Sequence, residues 1–169
     1  MAEYGTFGTA RTVDRNAVLA CCCASSLIVW ATYAQIIPFL ANETKQRGIG
    51  QVQLGWIFAA HGLANLVCCF CVGVWMLPAF GRSKTAMMGL LLAGVGGGVL
   101  GVASFIEHSS SLTFFLVCVL ARLLQGCGSA ATEIALTAIV AHEFAENIST
   151  TLAVIELFAS VGMTVAAPV

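Results

Sequence analysis

The sequence predicts an all-α integral membrane fold of five transmembrane helices, and three observations lead to it. Charged residues make up only 9% of the 169 and hydrophobic residues 59%, whereas a soluble domain carries about 25% charged residues. The mean hydropathy is +0.95. The apolar runs reach the length of about 20 residues that a helix needs to cross a hydrocarbon core. The connectors "ANETKQRGIG", "LPAFGRSK", "EHSSS" and "HEFAENI" are short, so consecutive helices are expected to be antiparallel neighbours.

Residues 1–16 are expected to form an N-terminal tail and residues 17–169 a partial bundle. Helix 1 is placed at 17–40; its apolar run is well beyond the 7–15 residues of a signal-peptide core, so it reads as a retained span. Helix 2 is placed at 51–76 and helix 3 at 85–106. Helix 4, at 112–141, is long enough to protrude, and helix 5 runs over 148–169. Arg11, Arg15, Arg82 and Lys84 would share one side, with Lys45 and Arg47 on the other. The positive-inside rule then puts the N-terminus in the cytoplasm; a vesicle or organelle membrane or the plasma membrane is expected.

The net charge of −1 excludes a strongly basic nucleic-acid surface. No metal-type spacing or cofactor motif is present, and there is no Gly-x-Ser-x-Gly, Asp pair or His-Glu-x-x-His, so an enzyme is not expected. The eight cysteines all lie in apolar runs and read chiefly as small packing residues. Palmitoylation of Cys21–Cys23 is the minor alternative.

Ionisable residues within spans are costly and point to function. Here they are His61 in helix 2, Arg122 and Glu133 in helix 4 and Glu156 in helix 5. At 1.5 Å per residue, Arg122, His61 and Glu156 fall roughly 12–15 Å inside their helices, near the midplane. Glu133 lies about 16 Å further along helix 4, at the inner mouth. Arg122, Gln125, Ser129 and Glu133 are spaced i, i+3, i+7, i+11 and make one polar stripe. Ser149, Glu156, Ser160 and Thr164 make another on helix 5, and His61 shares a face with Asn65. Helix 3 has glycines and no ionisable residue, which suits close packing or lipid exposure. A wet interior with one peripheral helix is a transport-pathway pattern. By depth, Arg122 is expected to meet Glu156, either as a structural ion pair or as a coupling pair.

These residues resemble a known family. "RLLQGCG" (Arg122, Gln125, Gly126, Gly128) resembles the helix 4 motif R-x-x-Q-G-x-G of major facilitator superfamily antiporters. "IELFASVGMTVAAPV" resembles the helix 5 antiporter motif, with Gly162 and Pro168 matching. "GVWMLPAFGRSK" resembles the helix 2–3 signature through Gly73, Gly81, Arg82 and Lys84. Its acidic residue is absent, Leu77 and Pro78 standing in that region, and Gly73 to Gly81 is one residue longer than the signature. Tyr33 with "IIPF", and "LGWIFAAHGLANLV", are similar to the first and second helices of the vesicular amine and polyamine transporter group. The resemblance covers about residues 17–169.

It implies the N-terminal half of a proton-coupled antiporter for an organic cation or amine, working without a cofactor in the lipid bilayer. Protons would be the coupling ion and a small cation the substrate. Arg122 and Glu156 would serve coupling; Tyr33, Gln35, His61, Asn65 and Gln125 would line the substrate cavity. Helix 1 lacks the Asp that meets an amine. The family has about twelve helices, so this chain, which stops at Val169, is expected to be a fragment missing its C-terminal half. The alternatives are a non-transporting multi-span scaffold and a small homo-oligomeric exporter.

Overall fold

The computed structural model describes residues 14–105 and 110–166. Five helices among them are long and apolar enough to cross a membrane: α1 (Arg15–Gln46), α2 (Gln51–Phe80), α3 (Arg82–Ala103), α4 (Ser111–Glu143) and α5 (Ile148–Ala166). Asp14 caps α1, its carboxylate accepting from the Asn16 amide at 3.0 Å, and so satisfies one of the first-turn donors.

Two helices run beyond their apolar lengths. Hydropathy ends helix 1 at residue 40, but the backbone ladder continues through "ANETKQ" to Gln46. It stops at Gly48, which takes φ +67, a left-handed conformation that only glycine adopts cheaply. Helix 2 likewise reaches Phe80, so the expected helix 2–3 loop shrinks to Gly81 alone, at φ +79. Residues Val72–Met76 form a π turn, with the Leu77 amide bonded to the Val72 carbonyl. A wider turn takes up one extra residue, which accounts for the extra position between Gly73 and Gly81. It also accommodates Pro78, which has no N–H to donate back along the helix.

Helix α4 is the most buried of the five and packs against both α2 and α3, while α1 and α5 pack on each other. Small residues let these backbones touch. A Cβ on Gly89 would stand 2.6 Å from the Thr132 amide, and one on Gly162 would stand 2.5 Å from the Leu27 carbonyl oxygen. Gly94, Gly98 and Gly101 instead face open space, so helix 3 is close-packed on one side and exposed on the other. Large apolar side chains point outward along α2, among them Trp56, Leu66 and Phe70, as a lipid-facing surface requires.

Two apolar cores lie toward opposite ends of the bundle. Leu40, Ile57, Leu100, Phe114 and Cys118 fill one; Cys22, Cys23, Val140, Phe144 and Ile155 fill the other. The polar stripe of α4 falls between them. Three of the eight cysteines thus serve as core packing.

The α1–α2 connector is anchored by Arg47, which the sequence alone offers as a loop charge. Its side chain is buried, paired with Glu43 at 3.2 Å and set 4.2 Å from the Phe114 ring centroid. Its Nη2 donates to the Ser104 carbonyl at 3.2 Å, and Ser111 Oγ donates to the Arg47 carbonyl at 3.2 Å. This one residue joins α1 to the ends of α3 and α4. Replacing Arg47 with methionine is expected to destabilise the bundle by about 2–3 kcal/mol, the worth of a charge-assisted hydrogen bond and a desolvated cation–π contact. Thermal unfolding in detergent would register it; an unchanged midpoint would contradict the anchoring role.

Candidate functional site

The site begins with spacing on α4. Gln125 lies one turn after Arg122, and Arg122 Nη1 donates to Gln125 Oε1 at 2.7 Å. Both side chains are buried, Arg122 completely. The guanidinium stands 4.9 Å from the Tyr33 ring centroid and 5.0 Å from that of Phe58. Its Nε and Nη2 have no hydrogen-bond partner. Aromatic faces attract a cation, but they supply no lone pair to those two nitrogens.

Next along the chain, Ser129 and Glu133 reach a cavity of about 300 Å³ between α1, α2, α4 and α5. Trp30 and Tyr33 line it from α1, His61 and Asn65 from α2, and Met163 from α5. The Tyr33 and His61 rings lie 5.0 Å apart, tilted by 48°; Trp30 meets Tyr33 edge-on at 5.9 Å. His61 Nδ1 has no hydrogen-bond partner. Asn65 accepts from the Cys69 thiol at 3.5 Å and shares the cavity wall with Glu133. The cavity therefore combines one carboxylate, aromatic faces and convergent polar groups.

A second cavity of about 310 Å³ adjoins it, lined among others by Ser26, Thr137 and Glu156. Trp30 and Glu133 belong to the walls of both. Glu133, expected at the inner mouth, thus stands in a partition between two cavities.

The expected Arg122–Glu156 pair is not formed; among the described residues the ion pairs are Arg47–Glu43 and His142–Glu143. The reason is depth. Measured from the same α4–α5 connector at 1.5 Å per residue, Glu156 lies about 12 Å along its helix, Glu133 about 15 Å and Arg122 about 31 Å. Glu156 is level with Glu133, and Arg122 is a further three turns away.

Of the other expected cavity residues, Tyr33, His61 and Asn65 line the site. Gln125 sits behind it as the partner of Arg122, and Gln35 is exposed outside it. On α5, the Ser160 and Thr164 hydroxyls donate back to the carbonyls of Glu156 and Ser160, so that stripe contributes only Glu156 to a cavity wall. Gly162 packs on α1, and Pro168 lies outside the described residues. Arg82 opens α3 directly after Gly81, Lys84 follows two residues later, and Gly73 sits in the π turn. Trp30 was not singled out in the sequence, although it precedes Tyr33 by three residues and shares its helix face. Among the described residues no group of three His, Cys, Asp or Glu side chains is placed to hold a metal ion.

Comparison with known proteins agrees with this architecture. Residues 19–169 match the model of the Major Facilitator Superfamily. The chain is 24% identical over 162 residues to the mouse protein named MFS-type transporter SLC18B1, covering 95% of this chain and 35% of that protein. The human protein of the same name is 25% identical over 137 residues, 81% of this chain and 29% of that protein. The Bacillibactin exporter of Bacillus subtilis (strain 168) is 28% identical over 104 residues, 62% of this chain and 25% of that protein. No solved structure matches. The chain spans about a third of the length of the SLC18B1 relatives it matches. With five membrane-spanning helices around a polar midsection and a family match over almost its whole length, the chain belongs to the Major Facilitator Superfamily of membrane transporters.

Proposed function

We propose that this segment is part of a proton-coupled antiporter for a small organic cation, with Glu133 as the coupling carboxylate. The observation that carries the reading is the position of Glu133 in the wall common to two cavities, beside Trp30. A carboxylate that borders two cavities can take up a proton from one and pass it to the other as water access to them alternates. When ionised it can also attract a cation, which Trp30 and Tyr33 would hold by their faces. Arg122, fully buried behind the Tyr33 ring, supplies a fixed positive charge about three turns along the same helix from Glu133. Glu156 in the adjoining cavity is the next proton acceptor along the path. In transporters of this architecture the substrate site lies near the midplane between two bundles that rock against each other. Residues 1–169 therefore supply one wall of that site, and the N-terminus lies on the cytoplasmic side.

The test is uptake of an organic cation into acid-loaded proteoliposomes by the full-length transporter that contains this segment. Glu133→Gln is expected to abolish accumulation driven by the pH gradient while leaving exchange of labelled for unlabelled substrate. Normal gradient-driven uptake by Glu133→Gln would overturn the assignment. The 169-residue chain by itself is expected to show no exchange.

A further inference from the structure

Two of the eight cysteines meet each other across a helix–helix seam. Cys68 on α2 and Cys127 on α4 are both half-buried, and their Sγ atoms are 2.8 Å apart. Among the described residues they are the one pair of cysteines in contact across two helices. The approach follows from the neighbouring residue: a Cβ on Gly126 would meet the His61 carbonyl oxygen and stand 2.9 Å from the Ala64 Cβ. With nothing but hydrogen there, the α2 and α4 backbones touch, and the thiols of Cys127, the next residue on α4, and of Cys68, one turn beyond Ala64 on α2, are held together. A covalent sulfur–sulfur bond requires that gap to close only to about 2.05 Å.

We propose that Cys68 and Cys127 are a dithiol site that a peroxide converts reversibly into a disulfide tying α2 to α4. One sulfur, as thiolate, attacks an oxygen of hydrogen peroxide; the O–O bond breaks, leaving a sulfenic acid and hydroxide, which takes up the thiol proton as water. The second sulfur attacks the sulfenic sulfur and expels its oxygen as a second water, taking with it the remaining thiol proton. Two electrons pass from the sulfurs to the peroxide, and a small dithiol reductant reverses the change. Hydrogen peroxide is small and uncharged, which suits a site inside a membrane bundle.

Among the described residues no other cysteine is paired with one on a different helix; Cys21 is exposed and Cys71 half-buried. Cys22, Cys23 and Cys118 are buried in the apolar cores, and the Cys69 thiol is engaged with Asn65. The bond would act on the cavity: Asn65 lies three residues before Cys68 and Ser129 two after Cys127, and both line it. Oxidation therefore fixes the distance between the α2 and α4 walls.

The test uses the 169-residue chain in lipid nanodiscs, treated with stoichiometric hydrogen peroxide, then unfolded and labelled with a maleimide for intact-mass counting. The expected result is the loss of two maleimide additions, a mass lower by two hydrogens before labelling, and full recovery with dithiothreitol. Peptide mapping should link the Cys68 and Cys127 peptides, and Cys68→Ser or Cys127→Ser should keep every remaining thiol. A full thiol count in the wild-type chain after peroxide, oxygen additions in place of a link, or a link between any other pair would overturn the proposal.

Discussion

Changing Gly128 to alanine, the addition of one methyl group, is expected to cost the bundle about 3 kcal/mol, the upper part of the range for overpacked cores. The new Cβ would run into the Ala93 amide nitrogen and stand 2.7 Å from the Gly89 carbonyl oxygen and 2.9 Å from the Ala93 Cα. All three are backbone atoms of α3, so no side chain can swing aside to make room. The two helices must separate, and with them the contacts that Gly89 and Gly96 make across the same seam. Gly94→Ala and Gly98→Ala are the controls, because nothing lies within 4 Å of a Cβ at either position. Alanine favours a helix over glycine by roughly 1 kcal/mol, so these two changes should be neutral or mildly stabilising. Thermal unfolding of the three variants in one detergent decides the matter. Equal midpoints would mean that the α3–α4 seam yields freely.

The contrast between these glycines marks what the sequence could and could not convey. All five spans were legible because bilayer thickness and short connectors fix helix number and approximate length. Their ends were less so: the stretch after Leu40 is polar, yet its backbone stays helical to Gln46, and only the structure shows Arg47 folded back onto Phe114. Glycine counting leaves close packing or lipid exposure open for helix 3, and the structure shows one on each face; the count cannot tell Gly89 from Gly94, since that depends on which face meets α4. The polar stripe of α4 was readable from its spacing along a single helix. The match across helices failed, because depths reckoned from different ends put Arg122 beside Glu156. Reckoning both from their shared connector brings Glu156 level with Glu133. Trp30 had a signal, three residues before Tyr33 on the same face, that composition alone does not raise.

Substituting Arg122 by methionine is expected to separate stability from transport. Arg122 is fully buried, bonded through one nitrogen to Gln125, with two nitrogens unpartnered. Replacing a buried ionic group by an apolar side chain of similar volume is often neutral or stabilising, by about 1–4 kcal/mol. The single change leaves the Gln125 carbonyl oxygen without its donor, a cost of about 1–3 kcal/mol, so Arg122→Met alone should lie near the wild type. The double variant Arg122→Met/Gln125→Leu removes both groups and should unfold later than either parent or single variant. The same double variant in the full-length transporter is expected to lose gradient-driven uptake, since no fixed positive charge then remains near the cavity. A purely structural arginine gives the opposite pair of results: the double variant unfolds early, and whatever folds still transports. Melting and uptake measured on one preparation distinguish the two, because only a guanidinium retained for function at the expense of stability gives a later unfolding together with lost uptake.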